Sequence, residues 1–163
     1  MNNNRLHLTL RKDLAKRTVK KYSVTQYCKT LGIGRSAFYN QYDGMPGLIC
    51  HILKHEIALH FREYQDCSLK QLVYGFLKEI YDLRVYYNNI YHLSIKNNCK
   101  RHICQEIKNK FFKELQQYLI KSDYSNKKIL SISSVTIYRV KDWVSHGCKE
   151  SILQIYSEIE PAL

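Results

Sequence analysis

The sequence predicts an all-α protein, and three observations carry that expectation. Apolar residues recur at intervals of three and four almost throughout the 163 residues. Only 6 Gly and 2 Pro are present, too few for the turn-dense chain of a β-sandwich. Hydrophobic residues make up 45% of the chain, which rules out a disordered polymer. The length suffices to bury a core without disulfides or metals. There is no internal repeat and no low-complexity linker, so one continuous helical body is expected.

Each element follows from a local signal. Leu6, Leu10 and Leu14 recur every four residues and predict a first basic helix ending near Arg17. Ser23 suits an N-cap for a second helix carrying Val24, Tyr27, Cys28 and Leu31 on one face, and Gly32 suits its left-handed stop. A third short helix carries Phe38 and Tyr42. The run Asp43-Gly44-Met45-Pro46 breaks it, and Pro46 fits the first turn of a fourth helix reaching about Tyr64, with Leu48, Ile49, Ile52, Leu53 and Ile57 inward. A fifth follows with Leu69, Leu72, Val73, Phe76, Leu77 and Ile80. Further helices are expected from Tyr86 to Lys96, Arg101 to Ile120, Lys128 to His146 and Glu150 to Ile159, nine helices and no strand.

Charge is unevenly placed along this framework. The chain carries 26 Lys and Arg against 14 Asp and Glu, a formal +12. Up to Gly47, nine basic residues face only Asp13 and Asp43, a net +7; the other 116 residues hold 17 basic and 12 acidic, a net +5. A basic excess points to a polyanion, either nucleic acid or an acidic membrane surface, and its concentration assigns the contact to the N-terminal third. No run of 18 apolar residues exists and MNNNRLHLTLRKD lacks the apolar stretch of a secretory signal, so a cytoplasmic protein is expected. The six cysteines form no CxxC pair and lie within helical patterns, as packed, reduced thiols do.

Two short helices joined through a glycine have helix-turn-helix geometry, in which the second helix enters the major groove. The candidate is SVTQYCKTLGIGRSAFYNQY, from Ser23 to Tyr42. Val24, Tyr27, Cys28, Leu31, Ile33 and Phe38 pack the helix pair. Gly34, Arg35, Ser36, Ala37, Asn40 and Gln41 remain outward. Arg forks onto guanine, Asn or Gln onto adenine, and the Ala methyl meets thymine. Lys12, Lys16, Lys20 and Lys21 lie beside the motif, where they would grip phosphates.

At Gly32, Ile33, Phe38, Tyr39, Tyr42 and Leu48 the sequence resembles the TetR family of transcriptional regulators, over about residues 5 to 60. The resemblance implies that Tyr39 and Thr25 contact phosphates, and Ser23 at the start of the second helix is counted with the DNA-binding residues. The resemblance also implies that Arg35, Ser36, Ala37, Asn40 and Gln41 face the groove. One departure is Met45, where the family usually has a phosphate-clamping Lys. The segment IYRVKDWVSHGCKESILQIYSEI loosely resembles the DhaS-like subgroup at Trp143 and Gly147, and implies a homodimer through the last two helices, at Val140, Trp143, Ile152 and Tyr156. On chemistry alone Trp143 fits a monomer core equally well.

Other clusters carry less. His51 and His55 stand four apart on one helix, and Cys99, His102 and Cys104 lie close, but neither fits a standard metal site, so no metal is expected. The segment YYNNIY, with Tyr86, Tyr87 and Tyr91, is the best candidate wall of a ligand pocket. No nucleophile and base pair, phosphate loop or carboxylate pair is evident, so neither an enzyme nor a cofactor is expected. The expectation is a DNA-binding regulator, a repressor in type. Residues 1–47 bind duplex DNA, and residues 48–163 dimerise and take a small-molecule effector or a protein partner. A basic membrane-surface or scaffold protein is the reading from another class.

Overall fold

A computed structural model describes residues 3–163, with the backbone alone at Asn3; Met1 and Asn2, the start of the expected DNA-binding segment, lie outside the described residues. The elements are α1 (Asn3–Leu14), α2 (Val24–Leu31), α3 (Arg35–Tyr39), α4 (Gly44–Glu63), α5 (Leu69–Asp82), α6 (Arg84–Lys96), α7 (Lys100–Tyr118), α8 (Asn126–Ser145) and α9 (Ile152–Ile159), closed by a 3-10 turn (Glu160–Ala162). The all-α expectation holds among the described residues, and no helix there is long and apolar enough to cross a membrane.

Serine begins four of these helices. Ser23, Ser68, Ser125 and Ser151 each accept the backbone N–H three residues on, and Gln26, Gln71 and Gln154 return the bond to complete capping boxes. The first helix ends at Leu14, one turn short of the expected Arg17. Its stop is set from a distance. The buried Asn89 of α6 donates to the Leu14 and Arg17 carbonyls at 2.7 and 2.8 Å and accepts the Val19 N–H at 2.9 Å. The chain leaving α1 is thereby held in a turn instead of another helical one.

Two apolar clusters stack along α4. The first joins Leu6, Leu10 and Leu14 to Tyr27, Leu31, Phe38, Leu48, Ile49 and Ile52, and extends to Tyr86, Ile90, Leu93 and Ile103. The second joins Ile57 and Phe61 to the buried faces of α5, α7, α8 and α9. The change of core therefore falls between Ile52 and Ile57, well inside α4, and this helix serves both parts without interruption.

Trp143 belongs to the second core and not to a surface. It is fully buried, stacks on Tyr81 at 5.9 Å, and its indole N–H donates to the Glu150 carbonyl at 3.1 Å. Within the single chain the indole therefore presents no exposed face of its own. Ile152 also packs inward, while Tyr156 meets Tyr74 edge-on at 5.5 Å and Val140 turns toward a cavity. The large apolar residues left exposed on α8 and α9 are Leu130, Tyr138 and Leu153.

Candidate nucleic-acid interface

The reading head is assembled around one buried ring. Phe38 of α3 has no exposed surface; it meets Tyr27 of α2 at 6.0 Å and Tyr42 at 5.5 Å. The turn between the helices closes when the Gly32 and Ile33 N–H groups both bond the Cys28 carbonyl, with Gly32 at φ 75. That left-handed conformation favours glycine. Arg5 of α1 donates to the Leu31 carbonyl at 2.6 Å, and Tyr27 donates to that of Leu6 at 3.2 Å, so α1 braces α2 from behind.

With Phe38 inward, the opposite side of the short helix is outward. Gly34, Arg35, Ser36, Ala37, Tyr39, Asn40 and Gln41 are all exposed, and Tyr39 keeps 53% of its surface. Thr25 and Ser23 are exposed at the start of α2, with the Ser23 hydroxyl already accepting the Gln26 N–H at 3.2 Å. Lys12 in the last turn of α1 and Lys16 just beyond it are exposed as well. The sequence-derived face is thus brought together, with Ser23 held as a cap. Met45 is buried in the head core, so its side chain has no part in the exposed surface.

Two cations counted toward the basic head are diverted. Arg5 caps α2, and Arg11 turns away from the surface into an ion-pair network. Its Nε lies 3.0 Å from Glu56 Oε1 and its Nη2 2.7 Å from Glu79 Oε1. Tyr86 and Tyr87 donate to the two oxygens of Glu56 at 3.1 and 3.3 Å, and His60 Nδ1 stands 3.5 Å from Glu79 Oε2. Burial pushes the Glu56 carboxyl up to about 6, with Arg11 pulling the other way. Burial also acts on Glu79, but the nearby His60 ring and the bond from Arg11 outweigh it and hold that carboxyl below its usual range. Burial disfavours the Arg11 charge, and the paired carboxylates overcome it. Sequence reading missed this junction, since Glu56 and Glu79 carry no local motif.

Beside the junction lies a cavity of about 140 Å³ between α4, α5, α6, α7 and α8. Tyr87 and Tyr91 line it; Tyr86 does not, because its ring is fully buried and its hydroxyl is spent on Glu56. The remaining candidates of the sequence have ordinary contacts. His51 packs on Tyr42 at 5.4 Å, and His55 meets Asn4 at 3.3 Å and the His7 ring at 5.9 Å. Burial pushes the thiols of Cys28, Cys50, Cys99, Cys104 and Cys148 up, the last to about 11, which disfavours thiolate chemistry.

No family model matches the chain, and no curated protein matches it in sequence. Solved structures match its shape. The dihydroxyacetone kinase operon activator DhaS is 15% identical, with TM-score 0.60 over 98% of this chain and 92% of that one. The TetR-family repressor FadR of Thermus thermophilus, in complex with lauroyl-CoA, is 11% identical with TM-score 0.67 over 99% and 91%. The fatty acid degradation regulator FadR of Bacillus halodurans is 14% identical with TM-score 0.60 over 98% and 91%. At such identities the likeness is one of architecture, and it spans both the reading head and the body. The chain has the fold of the TetR-family transcriptional regulators.

Proposed function

We propose that the protein is a cytoplasmic DNA-binding transcriptional regulator, a repressor that grips a palindromic operator as a homodimer and releases it when an effector binds. The observation that carries this reading is the outward face of α3, where Arg35, Ser36, Ala37, Asn40 and Gln41 stand exposed around the buried Phe38 anchor. These are groups that read base edges, held on a packed pair of helices. Tyr39, Thr25, the Ser23 end of α2, Lys12 and Lys16 supply phosphate contacts around it. In the dimer, two such helices enter successive major grooves about 34 to 36 Å apart. We assign the dimer surface to the outer faces of α8 and α9, at Leu130, Tyr138 and Leu153. The cavity favours a small-molecule effector over gating by a protein partner alone.

Two substitutions separate base reading from phosphate grip. Arg35→Ala is expected to lose about 1 to 3 kcal/mol on the cognate duplex and to relax preference at one base position. Lys16→Ala is expected to weaken all duplexes alike and to flatten the salt slope by about one unit. Quantitative gel shifts on cognate and random duplexes decide it. Equal losses on both duplexes for Arg35→Ala would remove α3 as the reader, and binding to anionic liposomes but not duplex DNA would favour the membrane-surface reading.

A further inference from the structure

The cavity beside the junction has a wall almost wholly of carbon. Leu53, Ile57, Phe76, Ile80, Ile107 and Ile137 supply most of it. Its charged side chains are committed elsewhere. Glu56 is turned to Arg11, Tyr86 and Tyr87, Glu79 faces Arg11 and His60, and the Lys141 ammonium lies at the exposed edge, 5.4 Å from the Tyr138 ring. Ser94 gives its hydroxyl to the Tyr91 carbonyl at 2.7 Å. The Cys104 thiol is kept protonated by burial.

Both charge signs are therefore poorly served inside. An anion would sit against two carboxylates. A cation would have to leave water and compete for carboxylate oxygens already paired with Arg11. An uncharged apolar molecule meets neither penalty. The cavity opens to solvent on one side, and its inner space of about 140 Å³ is close to the roughly 150 Å³ of apolar space that takes a single aromatic ring.

We propose that this cavity binds an uncharged apolar molecule of about one aromatic ring. The role of that molecule as the effector rests on the regulator reading; its chemical class does not. An occupant touches Glu56 and Glu79, which hold Arg11 of α1, and Tyr87, which bonds Glu56, so it presses on the connection between body and reading head.

Calorimetry on the DNA-free protein at neutral pH, with toluene, benzylamine and hexanoate as probes, tests the class. Toluene is expected to bind one per chain, and the two charged probes at least about tenfold more weakly. Ile137→Phe, which fills the space, is expected to lose toluene while keeping its helix content. Val140→Phe, at the less buried edge, does the same service if Ile137→Phe does not fold. Benzylamine or hexanoate binding as tightly as toluene overturns the proposal. So does the absence of heat with all three probes, or toluene binding undiminished in a folded filled variant. Failure of the same protein to bind any duplex would sink the regulator reading and leave the calorimetric result standing.

Discussion

Arg11 and Lys12 are adjacent basic residues on one helix, and the structure gives them opposite work. Lys12 is exposed beside the reading head, whereas Arg11 is fixed between Glu56 and Glu79. Glu56 is 5% exposed, so removing its guanidinium partner leaves a buried charge uncompensated. Arg11→Met is expected to lose about 3 kcal/mol of unfolding free energy, and the double variant with Glu56→Gln to regain part of it, by urea denaturation. The sign of the pH dependence follows from Glu56, whose carboxyl is raised to about 6 from an ordinary 4.5. The folded chain holds that proton more tightly than the unfolded chain does. Its contribution is therefore fully present below about pH 4.5 and lost as pH rises through 6, a swing of roughly 2 kcal/mol. Relative to Glu56→Gln, the wild type should gain stability by about that amount between pH 7 and 4.5. His7 acts in the opposite sense. Burial, then Arg11 and His55, push it down to about 4, so its contribution is present above about pH 6.5 and fades as pH falls toward 4. Charge counting located the basic head but could not tell Arg11 from Lys12, because the partners of Arg11 lie 45 and 68 residues away.

At the scale of elements, what the sequence revealed depended on how near the controlling residues were. Ser23 and Gly32 bound α2 within a few positions, and both ends appear where their local chemistry puts them. Ser23→Ala should cost about 1 kcal/mol through the lost cap, and Gly32→Ala about 1 kcal/mol through its left-handed backbone; thermal unfolding measures both. The end of α1 was misplaced by a turn for the converse reason, since Asn89 sets it from 75 residues away. The α4–α5 corner was equally invisible in the sequence. A Cβ on Gly75 would overlap the Tyr64 ring, and this close approach lets α5 lie against the end of α4. In Gly75→Ala the end of the Tyr64 ring must swing aside, a cost that the roughly 1 kcal/mol better helix propensity of Ala partly offsets, so the net loss should stay below about 2 kcal/mol. Within the reading head, the alternation of buried Phe38 with exposed neighbours was readable from spacing alone, because a single turn of helix fixes it.

For the whole molecule, α4 joins the reading head to the body, and the Arg11 network and Asn89 tie α1 to α4, α5 and α6. These contacts are the route by which the proposed effector would act on α1. The proposed dimer is assigned to Leu130, Tyr138 and Leu153, large apolar residues that α8 and α9 leave exposed. Tyr138→Glu with Leu153→Glu is expected to give a folded monomer in analytical ultracentrifugation and to weaken operator binding by at least about tenfold. In the sequence Trp143 serves a core or an interface equally well, and its place in the core is fixed only when the neighbouring Tyr81 and Glu150 are placed. In the proposed regulator two copies of α3 read two half-sites in register. Selection of bound duplexes from a random pool measures it directly: we expect a palindromic consensus whose half-sites lie about one helical turn apart, and no enrichment over the starting pool would contradict the account.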